Sequence, residues 1–229
     1  MRFWKIRTQM MTVLLGAMLA CSGAAQAIDF SFQGSFHRDD DVQLFAFAVG
    51  APSIVTLRAW SYAGGLNAAG DTIARGGFDT ILALFDSTGA LINQNDDGGC
   101  GLVAADALTG QCWDTFLSSL LAVGTYTVSI MQFNNFANGP NLSDGFIRTG
   151  DGNFTSGNGG DCAGVAFCDV SGANPGAQRD NHWAFDVLNV EQAQQQDVPE
   201  PSTFALFGVG FLTLLGYGWR RGKKAACKA

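Results

Sequence analysis

GTYTVSIMQF, residues 124–133, decides the fold: Tyr126, Val128 and Ile130 alternate with Thr125, Thr127 and Ser129. A period of two sends one set to each face of an extended chain, the pattern of a half-buried strand. Working outward, VQLFAFAV (42–49), IVTLRAW (54–60), TILALF (80–85) and WAFDVLNV (183–190) also predict strands, mostly apolar on both sides. FSFQGSF (30–36) and residues 90–93 are shorter candidates, and a further strand is expected after Asp114. Between them stand turn signals, Gly50-Ala51-Pro52, Asp86-Ser87-Thr88-Gly89 and Asp96-Asp97-Gly98-Gly99.

Short strands, polar turns and no convincing amphipathic helix predict an all-β fold, one β-sandwich or jelly roll over residues 28–191. The stretch 134–180 is rich in Gly, Asn and Asp and reads as a long ordered excursion on that domain. Residues 192–198, opening QAQQQD, read as a polar linker. No period of 20–50 residues repeats, so a solenoid or propeller is not supported.

The two ends specify topology. Arg2, Lys5 and Arg7 precede a short apolar run from Met10 to Leu19, and Ala25-Gln26-Ala27 supplies the small-x-small pattern cut by signal peptidase. Residues 1–27 are therefore expected to be a signal peptide; the apolar run is shorter than the roughly 20 residues a membrane span needs. At the far end, residues 202–219 carry no charge and would extend roughly 27 Å as one transmembrane helix. Arg220, Arg221, Lys223 and Lys224 follow, so the tail 220–229 is expected to stay cytoplasmic and the body outside.

The body is acidic. Ile28 to Val198 contains 5 arginines, no lysine and 19 acidic residues, all but one of them Asp. Such a surface repels nucleic acid, whose binding rests on phosphate neutralisation. Cys21 falls in the signal peptide and Cys227 in the tail, leaving Cys100, Cys112, Cys162 and Cys168 outside. An even number in an oxidising compartment implies two disulfides, most simply Cys100–Cys112 and Cys162–Cys168, out of three possible connectivities. A zinc site is the rival, weakened by the absence of C-x-x-C spacing and by the presence of only His37 and His182.

Calcium is the one cofactor the loops suggest. Asn93, Asn95, Asp96 and Asp97 share a turn, Asp39, Asp40 and Asp41 precede a strand, and Asp114 precedes another. These offer the carboxylate, amide and carbonyl oxygens calcium takes, and Asn95, Asp96, Asp97 and Asp114 are the candidate ligands. The competing reading is that Asp and Asn build the turns through bonds to their own backbone. Catalytic signatures are scarce: there is no G-x-S-x-G, H-E-x-x-H or P-loop. No catalytic residue is assigned.

Val198-Pro199-Glu200-Pro201-Ser202-Thr203, an apolar segment and a basic cluster follow one another over residues 199–224 and beyond. That order resembles the PEP-CTERM sorting signal. The resemblance implies recognition by an exosortase, which would cut near Pro199, Glu200 and Pro201 and hand the body to the cell surface or extracellular space. The prolines would keep this region extended at the membrane face.

Asp39-Asp40-Asp41-Val42-Gln43-Leu44-Phe45, Val55-Thr56-Leu57, Leu84-Phe85-Asp86 with Gly89, Asn95-Asp96-Asp97-Gly98 and Gly124-Thr125-Tyr126-Thr127-Val128 occur in the order of the bacterial pre-peptidase C-terminal domain. Residues 30–133 resemble that family, a compact β-sandwich of which some members bind calcium. WSYAGG, the Gly/Asn-rich excursion and HWAFDVLNV depart from it and resemble PEP-CTERM proteins of unassigned function. The expectation is a non-enzymatic surface or extracellular-polysaccharide matrix protein. Its alternatives are a calcium-dependent carbohydrate-binding module, with Trp60, Tyr62 and Trp113 as candidate exposed aromatics that could equally be core, Trp60 above all, and a polysaccharide-modifying hydrolase using paired carboxylates.

Overall fold

The computed structural model describes residues 26–170, 172 and 175–196. Its strands are β1 (Ile28–Ser35), β2 (Val42–Val49), β3 (Ser53–Ala59), β4 (Gly65–Leu66), β5 (Thr72–Ile73) and β6 (Thr80–Phe85). Then come β7 (Leu91–Asn95), β8 (Phe116–Leu121), β9 (Gly124–Gln132), β10 (His182–Val190) and β11 (Gln192–Gln196). They form a four-stranded sheet, β1-β10-β3-β8, a five-stranded sheet, β11-β2-β9-β6-β7, and the small ribbon β4-β5. Every pairing between strands is antiparallel. The described residues are all-β apart from three short 3-10 turns.

One face of each large sheet builds the main core. Phe45, Phe47 and Val49 of β2, Val128 and Ile130 of β9 and Leu82 and Leu84 of β6 meet Val55 and Leu57 of β3 and Phe185 and Val187 of β10. The Phe45 ring lies 5.0 Å from that of Phe185 and 5.6 Å, edge-on, from that of Trp183. Trp183 fits because β1 has Gly34 beneath it, where a Cβ would overlap the indole.

The apolar character of TILALF on both sides has a structural cause. Leu82 and Leu84 face the main core, while Ile81, Ala83 and Phe85 point outward into a second cluster with Met131. Phe133, Phe136, Leu142 and Phe146 cover that outer face. The excursion is stitched down by Leu91 N–H to the Pro140 carbonyl and Leu142 N–H to the Gly89 carbonyl, both 2.7 Å. Its next part is held by Asp39, fully buried, whose carboxylate accepts from Phe154 N–H (2.9 Å), Thr155 N–H (2.8 Å) and Thr155 Oγ1 (2.6 Å). The excursion is thus a cover for a sheet face that would otherwise expose three large side chains, Ile81, Phe85 and Met131, each worth roughly 1.5–3 kcal/mol on burial.

Residues 192–196 correct the expected linker. They form β11, paired with β2 from Gln192 opposite Ala48 to Gln196 opposite Leu44, so the domain runs on past residue 191. An edge strand needs partners on one side only and tolerates polar side chains, which is why a glutamine run reads as linker. Here Ala193 packs on the core, and Gln43 Nε2 donates to the Gln196 carbonyl at 2.6 Å. Strand β8, FLSSLL, is the strand expected after Asp114 and is an edge strand as well.

The two disulfides join Cys100 to Cys112 and Cys162 to Cys168, as the simplest connectivity anticipates.

Candidate functional site

At the end of the sandwich where β3 and β9 finish and β6 and β8 begin, the loop 96–115, the segment 60–79 and the excursion converge on a charged cluster. Its centre is Arg179, with a side chain only 1% exposed. Arg179 NH2 lies 3.4 Å from Asp106 Oδ2, its Nε lies 3.6 Å from Asp169 Oδ2, and its guanidinium stacks 3.5 Å from the Tyr62 ring centre. Tyr62 is itself fully buried; its hydroxyl donates to Asp169 Oδ2 at 3.0 Å, and its ring lies 5.1 Å from that of Trp113. Arg75 grips Asp106 with both Nε (2.5 Å) and NH2 (2.8 Å), and Thr109 donates to the same carboxylate through its N–H and hydroxyl, each 3.0 Å.

Geometry sets the protonation of each acid. Burial opposes the Asp106 charge, but the Arg75 and Thr109 hydrogen bonds and the Arg179 charge outweigh it, holding this carboxyl well below the usual range. Asp169 is pushed up by burial despite Arg179 and the Tyr62 hydroxyl, and Tyr62 is raised, chiefly by burial. Asp114 rises to about 6 because burial outweighs the hydrogen bonds it receives, including Tyr62 N–H at 2.7 Å and Ala63 N–H at 2.8 Å. Asp79, 5% exposed, is pushed well above the carboxylate range by burial and then by the charges of Asp97, Asp169, Asp96 and Asp114.

These shifts predict a stability maximum in mild acid. A raised carboxyl such as Asp114 stabilises the fold most below its unfolded value, and that contribution is lost as the pH rises toward 6. The depressed Asp106 acts oppositely: its contribution is present above the unfolded value and lost as the pH falls below it. The two windows meet at the unfolded Asp value, so thermal melts in chelator should give the highest Tm at about pH 4. A Tm falling steadily from pH 7 to pH 4 would contradict this assignment.

Of the expected calcium ligands, Asn95, Asp96 and Asp97 remain together at the exit of β7. Asn95 Nδ2 donates to the carbonyls of Asp97 and Phe116, both 2.9 Å, and Asp96 Oδ1 caps Asp97 N–H at 2.8 Å. Asp97 rises to about 6, through burial and then Asp96. Asp114 turns inward, both oxygens taken by backbone N–H groups, so it does not join that loop's carboxylates. Among the described residues no three His, Cys, Asp or Glu side chains form a ready-made metal cage. Asp39 is spent on the backbone of the excursion, and Asp41 on its own turn, accepting from His37 N–H at 2.7 Å and Arg38 N–H at 2.9 Å.

Of the candidate aromatics, Tyr62 and Trp60 take the core alternative. Tyr62 is internal, and Trp60 is sandwiched between the Arg58 guanidinium, 3.7 Å from its ring centre, and the Gly65 backbone. Its Nε1 donates to Asp186 Oδ2 at 2.7 Å, so the ring is a packing element, the core reading of Trp60. Of the histidines, His182 sits between Asp180 and the Ala74 carbonyl. Arg179, Asp106, Asp169, Arg75 and Asp79 escape sequence reasoning altogether, because their partners lie far away in the chain and no local spacing announces them.

The class that fold and site define is an antiparallel two-sheet sandwich, stapled by two disulfides, with its charge cluster turned inward. Residues 197–223 match the PEP-CTERM protein-sorting motif. None of the curated proteins compared matches the chain. The motif marks an exosortase-sorted protein of the cell surface or extracellular space, in agreement with the reading of Pro199, Glu200 and Pro201. The expected signal peptide 1–27, the motif, the expected helix at 202–219 and the tail with Arg220, Arg221, Lys223 and Lys224 lie outside the described residues, apart from Gln26 and Ala27. Among the described residues no helix is long and apolar enough to cross a membrane.

Proposed function

We propose that this protein is a non-enzymatic component of the bacterial envelope or extracellular polysaccharide matrix. It is exported, held at the inner membrane by residues 202–219 and then released or transferred by exosortase. The observation that carries this reading is the sorting motif at 197–223 directly after the last strand of a folded body. Only Asp197 to Pro199 separate β11 from Glu200, so the folded body would stand against the membrane at the cutting site.

The inward orientation of the charge cluster supports a structural rather than catalytic body. Arg179 and Tyr62 are enclosed, and Asp106, Asp114 and Asp39 are engaged by internal donors. The likeness of residues 30–133 to the pre-peptidase C-terminal domain supports an accessory role too, since that family is an appended module.

The test compares cells with and without the exosortase, fractionated and followed by mass analysis of the protein's C-terminus. The expected result is loss of the chain beyond the Pro199-Glu200-Pro201 region, and departure from the inner membrane, only where the enzyme is present. An intact C-terminus and membrane retention in both strains would overturn the proposal.

A further inference from the structure

Strand β8 is an open edge of the four-stranded sheet. Its register with β3 runs unbroken from Ser53 opposite Leu121 to Arg58 opposite Phe116. Ala59 N–H donates to the Thr115 carbonyl at 2.9 Å, so residues 115, 117, 119 and 121 are the ones that bond to β3. The backbone groups of Phe116, Ser118 and Leu120 therefore face away from the sheet. The loop after β7 closes the first of these positions: Asn95 Nδ2 donates to the Phe116 carbonyl and Gly98 N–H to the Asp114 carbonyl, both at 2.9 Å. Among the described residues no strand pairs with Ser118 or Leu120 on that side.

The other edges are guarded, and this one is not. β1 carries Asp29 and a register shift, β7 is covered by Ala137 and Pro140, and β11 lies between Glu191 and Asp197. Charges, bulges and covers of this kind keep sheet edges from pairing. No charged residue occurs between Asp114 and Asp144, and β8 contains no proline. Its outer face is apolar as well: Leu120, 76% exposed, stands directly opposite Ile54, 61% exposed.

We propose that β8 pairs with β8 of a second copy of this chain, antiparallel, about a twofold axis at Leu120. The two Leu120 residues then exchange N–H to carbonyl bonds, and Ser118 lies opposite Ala122 of the other copy. Because Ile54 is already opposite Leu120, the outer face gains one unbroken apolar row, Ile54-Leu120-Leu120-Ile54, across four strands. Charge and symmetry point to this occupant. Bodies with 5 arginines against 19 acidic residues repel one another, so copies can approach only at an uncharged surface, and this edge offers one whose donors and acceptors satisfy their own kind. A self-complementary contact about a twofold closes at two copies. It is smaller than the roughly 800 Å2 per partner of a stable interface, so the association is weak and concentration-dependent.

The exit of the chain adds a condition. β11 ends at Gln196, at the end of the sandwich where β8 begins. The twofold turns these ends in opposite directions, so two copies anchored in one bilayer by residues 202–219 cannot pair this way, whereas released copies can. That condition rests on the proposed sorting; the pairing itself does not.

The protein released by cells carrying the exosortase, or the full chain in detergent if none is released, is followed by sedimentation velocity from micromolar to near-millimolar concentration. Failure of release bears on the sorting, and only the sedimentation bears on β8. A reversible monomer–dimer equilibrium is expected. Leu120→Glu sets two like charges opposite each other at the axis and should weaken association by at least about tenfold, with Tm within about 2 °C of the wild type. Leu66→Glu, at a position 61% exposed on β4, should leave the equilibrium unchanged. A monomer at every concentration, growth beyond a dimer, wild-type association in Leu120→Glu or an equal loss in Leu66→Glu would each overturn the proposal. Should Leu120→Glu not fold, Ile54→Glu decides by the same criterion.

Discussion

Replacing Arg179 with methionine is expected to lower the melting temperature by roughly 10 °C, corresponding to a loss of about 3–5 kcal/mol. Removal of one member of a buried ion cluster leaves the others charged and unsolvated, a larger penalty than the net worth of the contacts. Arg179 faces Asp106 and Asp169 together, all three side chains 1% exposed or less. Asp106 keeps Arg75, whereas Asp169 already has one oxygen without a partner and would retain only the Tyr62 hydroxyl. The damage should therefore concentrate on Asp169. Adding Asp169→Asn to Arg179→Met should recover part of the loss, because the stranded charge is gone. Circular dichroism melts of the two variants check this; a shift within about 2 °C for the single variant would show that the cluster carries little stability.

Reduction of the disulfides is expected to have an effect of similar or larger size. The bridges close loops of 12 and 6 residues, and each contributes roughly 2–3 kcal/mol by restricting the unfolded chain. Losing both should lower Tm by about 10–20 °C. The bridges also act locally. Cys100–Cys112 frames the loop that presents Asp106 to Arg75 and Arg179, and Cys162–Cys168 holds the segment leading into Asp169. Cys100→Ser with Cys112→Ser should therefore be less than additive with Arg179→Met, since the first change already loosens what the second would break. Melting in the presence and absence of reductant, with free thiols counted, tests this. Full thiol release with an unchanged melting curve would refute it. The result bears on biology: a fold that leans on two bridges reaches full stability only in an oxidising compartment.

Much of the architecture is legible one segment at a time. Residues 42–49 and 80–85 run as strands over their expected span, and residues 183–190 are joined by His182 alone. The reason is that period-two patterning and Asp/Gly turns act within a few residues. Reading failed at β11, an edge strand whose glutamine side chains meet solvent. There, backbone pairing with a distant strand, and not the chain's own pattern, supplies the stabilisation.

The candidate site was legible only in its loop. Asn95, Asp96 and Asp97 advertise a turn rich in oxygen, but nothing local says that Asp114 folds back onto Tyr62 and Ala63, or that Asp79 is left buried with a bare oxygen. Tyr62 illustrates the same limit from the apolar side. An aromatic in a Gly-rich segment reads as exposed or core alike until Arg179, 117 positions away, stacks on it.

Composition and local order alone determined the all-β class, the thiol pairing and the sorting motif, because each is written in neighbouring residues or in a sum over the chain. Which acids are neutralised by arginine and which are stranded, which aromatic rings are enclosed, and which polar segment becomes a strand were decided only by tertiary structure. Burial and electrostatic pairing are properties of groups brought together across the fold, and the energy of a charge depends on its surroundings rather than on its place in the sequence.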